Sequence, residues 1–365
     1  MAAFPVNIVK ATDFEAIDEA MRLLLKPFQI RSDETVFIKP NVVSPSTPDT
    51  GIVTDCRIVS SLIDYLKEKN IEKIVIGEGS ALGIDTMKAF EATGFTKLAE
   101  DKKVMLIDLN KTERVKVAWK YGEIALPKIV FKSYYINVCK IKMHPQTTVS
   151  LSIKNQKGLL SPDEKKHFHQ LGLHEPLAQL LGIVKPQLAI IDGIVALEGD
   201  GRPKRTDVLL AGDDAVAVDA ACCKTIGINP LEVDHIRIAA EIGAGYLETQ
   251  HYGEEVRVPL QRANDQYWRY RKIYVWWSPH TCSACNGKIL EALMETKGKP
   301  QYWSKIAFYA FFRGLHLLTG RNPQMPNMGG RIVCSGNCTK AFAEKHGLTY
   351  VEGCPPTSKE ILENI

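Results

Sequence analysis

Short runs rich in β-branched residues recur along the first two-thirds of the chain, and segments with helical apolar spacing stand between them. VNIVKA, ETVFIKP, EKIVIGEG, KVMLIDL, YYINVCKIK and QLAIIDGIV each read as a strand buried on both faces and bounded by turn residues. DCRIVSSLIDYLKEKN and TMKAFEATG carry apolar residues at i, i+3 and i+4, with Asp55 and the pair Asp85 and Thr86 as N-caps. Strands separated by helices need crossover connections, so the expected fold is α/β, a mostly parallel sheet flanked by helices. A further strand, an acidic turn and a helix follow in DVLLAGDDAVAVDAACCKTIG. The body is expected to occupy residues 1–260.

From about Arg262 the composition turns to aromatics and cysteines, which sets residues 261–365 apart as a small C-terminal cysteine-rich domain. This part holds 14 Lys and Arg against 7 Asp and Glu, so the formal net charge of +4 conceals a basic tail on a slightly acidic body. A basic surface of this kind either is simply solvated or steers acidic partners, among them an acidic electron carrier such as a ferredoxin. With 45% hydrophobic and 24% charged residues the chain has an ample core, which excludes disorder. The longest apolar stretch, Tyr302 to Leu318, is broken by Lys305, Arg313 and His316, so no membrane span is expected. Its aromatic residues Trp303, Phe308, Phe311 and Phe312 wrap more than one face, which suits burial in the core, the first expectation, or in an interface where the helix docks a partner. The first residues lack the features of a secretory or transit peptide, and the expected location is cytoplasmic. No nucleic-acid partner is expected, and the sequence does not fix an oligomeric state.

Five of the nine cysteines fall within 73 residues: Cys282-Ser-Ala-Cys285, then 48 residues, then Cys334-Ser-Gly-Asn-Cys338, then Cys354-Pro355. A C-x2-C pair lets two thiolates face one centre, and proline after a final cysteine recurs in ferredoxin-type motifs. An iron-sulfur cluster, of the 4Fe-4S type, held by Cys282, Cys285, Cys338 and Cys354 is the first reading. Cys334, at the end of the strand-like RIVC run, is the spare or an alternative ligand. A four-cysteine zinc ribbon is the competing reading. Cys56, Cys139, Cys222 and Cys223 read as small hydrophobes.

Polar motifs sit at the ends of expected strands, where open α/β sheets place ligands. Lys39-Pro40-Asn41 and Glu78-Gly79-Ser80 are two, and Lys140, Lys142 and His144 share one face of a third strand. Lys154 and Lys157 add two amines at a helix end, where they serve either as a cap or as part of a site for a carboxylate or phosphate. Asp192, Glu198, Asp213, Asp214 and Asp219 could orient these amines or move protons, although each is an ordinary turn, cap or helix residue when taken alone. His167, His169 and His174 read as surface or lid residues. The nucleotide and hydrolase signatures GxxxxGK[ST], GxGxxG and GxSxG are absent.

Together KPNVV, IGEGS with TMKAFEATGF, CKIKMHPQTTVSLSIKNQKGLL, LAIIDGIVALEGDG and AGDDAVAVDA resemble the family labelled domain of unknown function 362, over roughly residues 5–245. The resemblance implies an iron-sulfur protein with a ferredoxin-like C-terminal domain, although the long insertion between cysteine pairs departs from the compact ferredoxin motif. It places Lys39, Asn41, Glu78, Lys142, His144, Lys154, Asn155, Lys157, Asp192, Glu198, Asp214 and Asp219 on the family's motif positions. Of these, Lys142, His144, Lys154, Asp192 and Glu198 stand as candidate catalytic groups. Lys39, Asn41, Glu78, Asn155 and Lys157 stand as candidate binders of an anionic small-molecule substrate. The expected function is that of an oxidoreductase or electron-transfer protein. A lyase or isomerase using the cluster as a Lewis acid, or a scaffold with a structural metal site, are the alternatives.

Overall fold

The computed structural model describes residues 4–12, 16–30, 35–263, 267–278, 281, 283–296 and 299–365. Contacts divide the chain into two compact units, Met1–Ala263 and Asn264–Ile365. The first unit opens with β1 (Phe4–Lys10), α1 (Ile17–Leu25), β2 (Val36–Lys39), α2 (Cys56–Glu68), β3 (Ile74–Glu78), α3 (Thr86–Ala92), α4 (Phe95–Lys102) and β4 (Met105–Asp108). Asp55 caps α2 by accepting from Arg57 N, and Asp85 caps α3 by accepting from Met87 N and Lys88 N. A hairpin of β5 (Arg114–Trp119) and β6 (Gly122–Pro127) precedes the long β7 (Tyr134–His144) and the short β8 (Thr148–Ser150). Three helices follow, α5 (Ser152–Asn155), α6 (Pro162–Leu171) and α7 (His174–Ile183). The unit closes with β9 (Leu188–Leu197), β10 (Pro203–Gly212), α8 (Ala215–Thr225), α9 (Asp234–Glu241) and β11 (Thr249–Gly253).

The main sheet runs in the order β11-β1-β10-β9-β7-β2-β3-β4, with β8 paired to β7 off this path. The block from β9 to β4 is parallel throughout. Among the described residues β10 is the single reversed strand of the path, antiparallel to both β9 and β1. The reason is the connection: EGDGR between β9 and β10 is too short for a crossover and can only turn the chain back. The sheet is therefore α/β and mostly parallel, as the alternation of patterns implies.

Alternate strand residues face opposite layers. Phe37, Val75, Tyr135, Ile191 and Leu210 pack with apolar residues of α7, α8 and α9. Their neighbours Ile38, Ile76, Ile136, Ile190 and Leu209 pack with α1, α2, α3 and α4. Covering on both faces explains the near-continuous apolar runs of β2, β3 and β7. It also leaves the carboxyl ends of these strands as the natural place for polar chemistry. Cys139, Cys222 and Cys223 lie in this core, and Cys56 is half-buried at its edge.

The second unit is a five-stranded sheet ordered β12 (Tyr267–Tyr270), β13 (Ile273–Trp277), β14 (Leu315–Thr319), β15 (Arg331–Ser335) and β16 (Thr349–Val351). The aromatic YWRY and IYVWW segments form an antiparallel hairpin, and β13 to β16 are parallel. Helices α10 (Ser283–Glu295), α11 (Pro300–Phe308), α12 (Lys340–His346) and α13 (Ser358–Asn364) connect and close it. The chain continues from α11 as a π-helical turn, Tyr309–Arg313, and then becomes β14. The expected core placement of the aromatic stretch is corrected here, because Trp303, Phe308, Phe311 and Phe312 are all exposed. Its inward side is supplied instead by Tyr302, Ile306 and Tyr309, which pack against the unit's core. No helix among the described residues is long and apolar enough to cross a membrane.

Each layer of the first unit buries its own apolar cluster against one face of the sheet, so truncation on either side is felt. Leu62→Ala in α2 and Leu177→Ala in α7, each fully buried, are each expected to lower unfolding free energy by about 2–5 kcal/mol in urea titrations.

Candidate functional site

At the carboxyl ends of β2 and β3 a lysine and a glutamate meet inside the protein. Lys39 Nζ lies 3.0 Å from the Glu78 carboxylate, and neither side chain is more than 1% exposed. Glu78 also accepts from Val42 N at 3.1 Å and Gly79 N at 2.8 Å. Burial holds the Lys39 amine below its ordinary range, and Glu78 partly restores it. Gly158 closes over the pair: a Cβ there would run into Glu78 Oε1 and stand 2.6 Å from Lys39 Nζ. The glycine of the KNQKG motif is thus required by close approach to a buried ion pair.

Asn155 links this pair to the next strand. Its Oδ1 accepts from Lys39 Nζ at 3.2 Å and from Asn41 Nδ2 at 2.9 Å, while its Nδ2 donates to Asn137 Oδ1 at 2.7 Å. Asn41 Oδ1 in turn accepts from Lys142 Nζ at 2.6 Å, and Lys142 also donates to Ile52 O at 3.0 Å. Lys154 donates to Thr147 Oγ1 at 3.0 Å. Among the described residues, Lys142 and Lys154 hydrogen-bond to neutral oxygens alone. Burial brings Lys142 down to about 8, and burial with the charges of Lys157 and Lys142 holds Lys154 well below the usual lysine range.

His144 stands at the end of β7. Its Nδ1 accepts from Gln146 N at 3.1 Å and Thr147 N at 3.4 Å, which leaves Nε2 to carry the proton of a neutral ring. Burial, then Lys154, Lys142, Lys157 and His235, push its protonation well below the ordinary histidine range. The arrangement is a group of amines and a neutral imidazole whose positive charge is under-compensated. An incoming carboxylate or phosphate would offset that charge, and Lys142 is poised to exchange a proton near neutral pH.

The carboxylates divide differently from the expectation. Asp192 accepts from Lys140 Nζ and Asp55 N, both at 2.9 Å, and from Ile194 N at 3.2 Å. Its place is therefore within a second buried ion pair that ties α2 to the sheet. Glu198 accepts from Gln261 N at 3.0 Å and Lys204 Nζ at 3.4 Å, away from the hydrogen-bond chain of Lys39, Asn41, Lys142 and Asn155. Asp214 caps α8 through Ala217 N. Asp219 accepts from Ser152 N at 2.8 Å and Ile153 N at 2.9 Å, and so places the backbone that carries Lys154 and Asn155.

Three further residues belong to this region. Lys165 is buried and donates to Gly79 O and Ser80 O at 2.9 Å, its amine lowered by burial to about 8. His174 is half-buried, with Nε2 3.1 Å from Gln146 O, and its ring lies 5.8 Å from that of His235. His235 is fully buried, and neither of its ring nitrogens has a hydrogen-bond partner among the described residues. The expectation of a surface or lid role for His174 is corrected by this packing, whereas His167 is half-buried beside Glu164, and the side chain of His169 lies outside the described residues. An open cleft of about 1180 Å³ lined by Phe28, Lys132, Lys185 and Asp213 sits at the opposite, amino ends of β2, β7 and β9. It shares no residue with the amine cluster.

In the second unit the cysteines follow strand order. Cys285 lies in the first turn of α10, after β13; Cys338 follows β15 and Cys354 follows β16. Because β13 to β16 are parallel, these three positions share one edge of the sheet. Asn337 fastens two of the loops: its N donates to Gly353 O at 2.9 Å, and its Oδ1 accepts from Gly353 N at 2.7 Å. A Cβ on Gly336 would lie 3.0 Å from Cys285 Sγ, so glycine lets this loop close on that thiol. Cys334 is buried in β15 with its thiol raised by burial to about 11, whereas Cys338 and Cys354 are exposed. Cys282 lies outside the described residues. Among the described residues no three His, Cys, Asp or Glu stand close enough to hold one metal ion. The donor chemistry and the glycine-lined approach of Cys285, Cys338 and Cys354 suit a cluster; no ready-made ligand cage is formed by those three residues.

A family model described as "Domain of unknown function (DUF362)" matches residues 36–224, which include every residue of the amine cluster. The chain is 22% identical over 256 residues to the "Thylakoid-associated protein sll1697" of Synechocystis sp., covering 65% of this chain and 79% of that protein.

Burial raises the Asp219 carboxyl from 3.8 to about 7, against the pull of its two backbone donors. Between about pH 4 and 7 the folded chain holds a proton that the unfolded chain has lost, so this group makes stability fall as pH rises. Asp219→Asn cannot titrate. Urea unfolding across this window should show the wild type losing stability relative to the variant as pH increases.

Proposed function

The chain belongs to the DUF362 family, and from the site built by its motifs we propose that the first unit binds an anionic small molecule at Lys142, Lys154, Lys157 and His144. The observation that carries this reading is that Lys142, which is buried, and Lys154, which is half-buried, hydrogen-bond to neutral oxygens alone among the described residues. Lys39, Asn41, Glu78 and Asn155 position these groups through the hydrogen-bond chain. Lys142 and His144 are the proposed proton carriers. Asp192 and Glu198 act through positioning, given their backbone and lysine partners.

The second half of the proposal is redox. Cys282, Cys285, Cys338 and Cys354 would hold an iron-sulfur cluster, and that group, when bound, supplies single-electron transfer. The reading is supported by the shared sheet edge of three of these cysteines and by the burial of Cys334 within β15. The whole is an oxidoreductase or electron-transfer protein acting on an anionic small molecule. A cytoplasmic location is part of the proposal. The relative's description as thylakoid-associated makes a thylakoid location the alternative that cell fractionation would reveal.

Calorimetric titration with sulfate and with oxalate tests the first half. Binding should weaken about tenfold or more in Lys142→Met and in Lys154→Met, and should decline in the wild type from about pH 8 upward as Lys142 loses its charge. Unchanged affinity in both variants would refute the anion site. Iron and acid-labile sulfide in anaerobically purified protein test the second half. Cys338→Ser should lose both while Cys334→Ser keeps them, and colourless protein carrying zinc rules the cluster out.

A further inference from the structure

The outer face of α11 carries residues that a water-facing helix does not favour. Tyr302, Ile306 and Tyr309 form the inward stripe against the core, and Ala310 is buried beside them. On the other side Trp303 is 57% exposed, Phe308 48%, Phe311 50% and Phe312 72%. Polar residues are the usual occupants of such a face. Phe308, Phe311 and Phe312, three large aromatics within five residues, are exposed together at the end of the helix and on the turn after it, and Trp303 is exposed earlier on the helix. Phe308 and Phe312 lie one turn apart with ring centroids 6.0 Å from each other.

The segment that carries the patch is basic. Between Glu295 and Glu344 the sequence contains no Asp or Glu but seven Lys and Arg. Lys305 lies on α11 itself and Arg313 at the end of the π-helical turn. The Arg271 guanidinium lies 4.1 Å from the centre of the Phe311 ring, and Lys272 Nζ donates to Phe312 O at 3.3 Å. Aromatic side chains that reach the headgroup layer, with Lys and Arg around them, are the combination that holds a protein at an anionic lipid surface. A helix this short lies on a bilayer and does not cross it.

We propose that the end of α11 and the π-helical turn that follows it, with Phe308, Phe311 and Phe312 at the centre, Trp303 beside them on the helix and Lys305, Arg313 and Arg271 around them, dock the protein peripherally on an anionic lipid bilayer. This proposal is independent of the anion site and of the cluster. Its test is cosedimentation of the full chain with vesicles of phosphatidylcholine alone and of phosphatidylcholine with phosphatidylglycerol. Binding is expected only to the anionic vesicles, and it should weaken as salt rises. The combined variant Phe308→Ser, Phe311→Ser, Phe312→Ser should lose about tenfold or more in partitioning, and Lys305→Glu with Arg313→Glu a comparable amount. Circular dichroism should match the wild type in both, since the altered side chains are exposed. Failure to bind anionic vesicles, equal binding to neutral ones, or wild-type binding by both variants would overturn the proposal. So would a concentration-dependent dimer that the aromatic variant abolishes without any change in vesicle binding, because the face would then join two copies of this chain.

Discussion

The ion pair of Lys39 and Glu78 is the constraint around which the first unit's polar end is organised. Two charges withdrawn from water are costly, and removing one partner leaves the other uncompensated, at about 3–5 kcal/mol. The protein answers with backbone donors from Val42 and Gly79 and with the side chain of Asn155. Each of these comes from a different connection. The pair therefore sets the positions of the loops after β2 and β3 and of the segment around α5.

From that fixed point the other residues acquire their electrostatic character. Asn155 and Asn41 carry no charge, so the chain that runs from Lys39 to Lys142 transmits position without neutralising the second amine. Glu78 is already engaged, and Asp192 is held by Lys140. Lys142, Lys154 and the neutral ring of His144 are left in a region where positive charge is unfavourable and where an anion would be welcome. The same low dielectric that makes the site costly to assemble would strengthen its attraction for the anion proposed to bind there.

The second unit uses parallel strands differently. Its cysteines are separated by long stretches of sequence, yet the turns after β13, β15 and β16 gather on one edge because the strands point the same way. Asn337 then fastens two of those turns to each other. Glycine at position 336 permits the approach of Cys285. Cys334, only four residues from Cys338, takes the opposite fate because a strand interior buries it.

Much of the fold is legible in the residues themselves. The β-branched runs, the caps Asp55 and Asp85 and the short EGDGR turn determine many of the strands and helices and the reversal of β10, since each depends on local geometry and on burial period. The sequence also marks Lys39, Asn41, Glu78, Lys142 and Asn155 as polar residues at strand ends. It does not show that Asp192 belongs to Lys140, that Glu198 faces Gln261, or that His174 meets His235. Those pairings join segments tens of residues apart, and no local pattern encodes which buried charge a given partner will reach. Nor could it place the aromatic stretch: Trp303 and Phe312 look like core residues by hydrophobicity, and only the packing of Tyr302, Ile306 and Tyr309 against the sheet decides which side faces out. Hydrophobic period determines that an element forms, whereas the tertiary arrangement decides what each of its faces and charges meets, because desolvation and pairing depend on the three-dimensional neighbours.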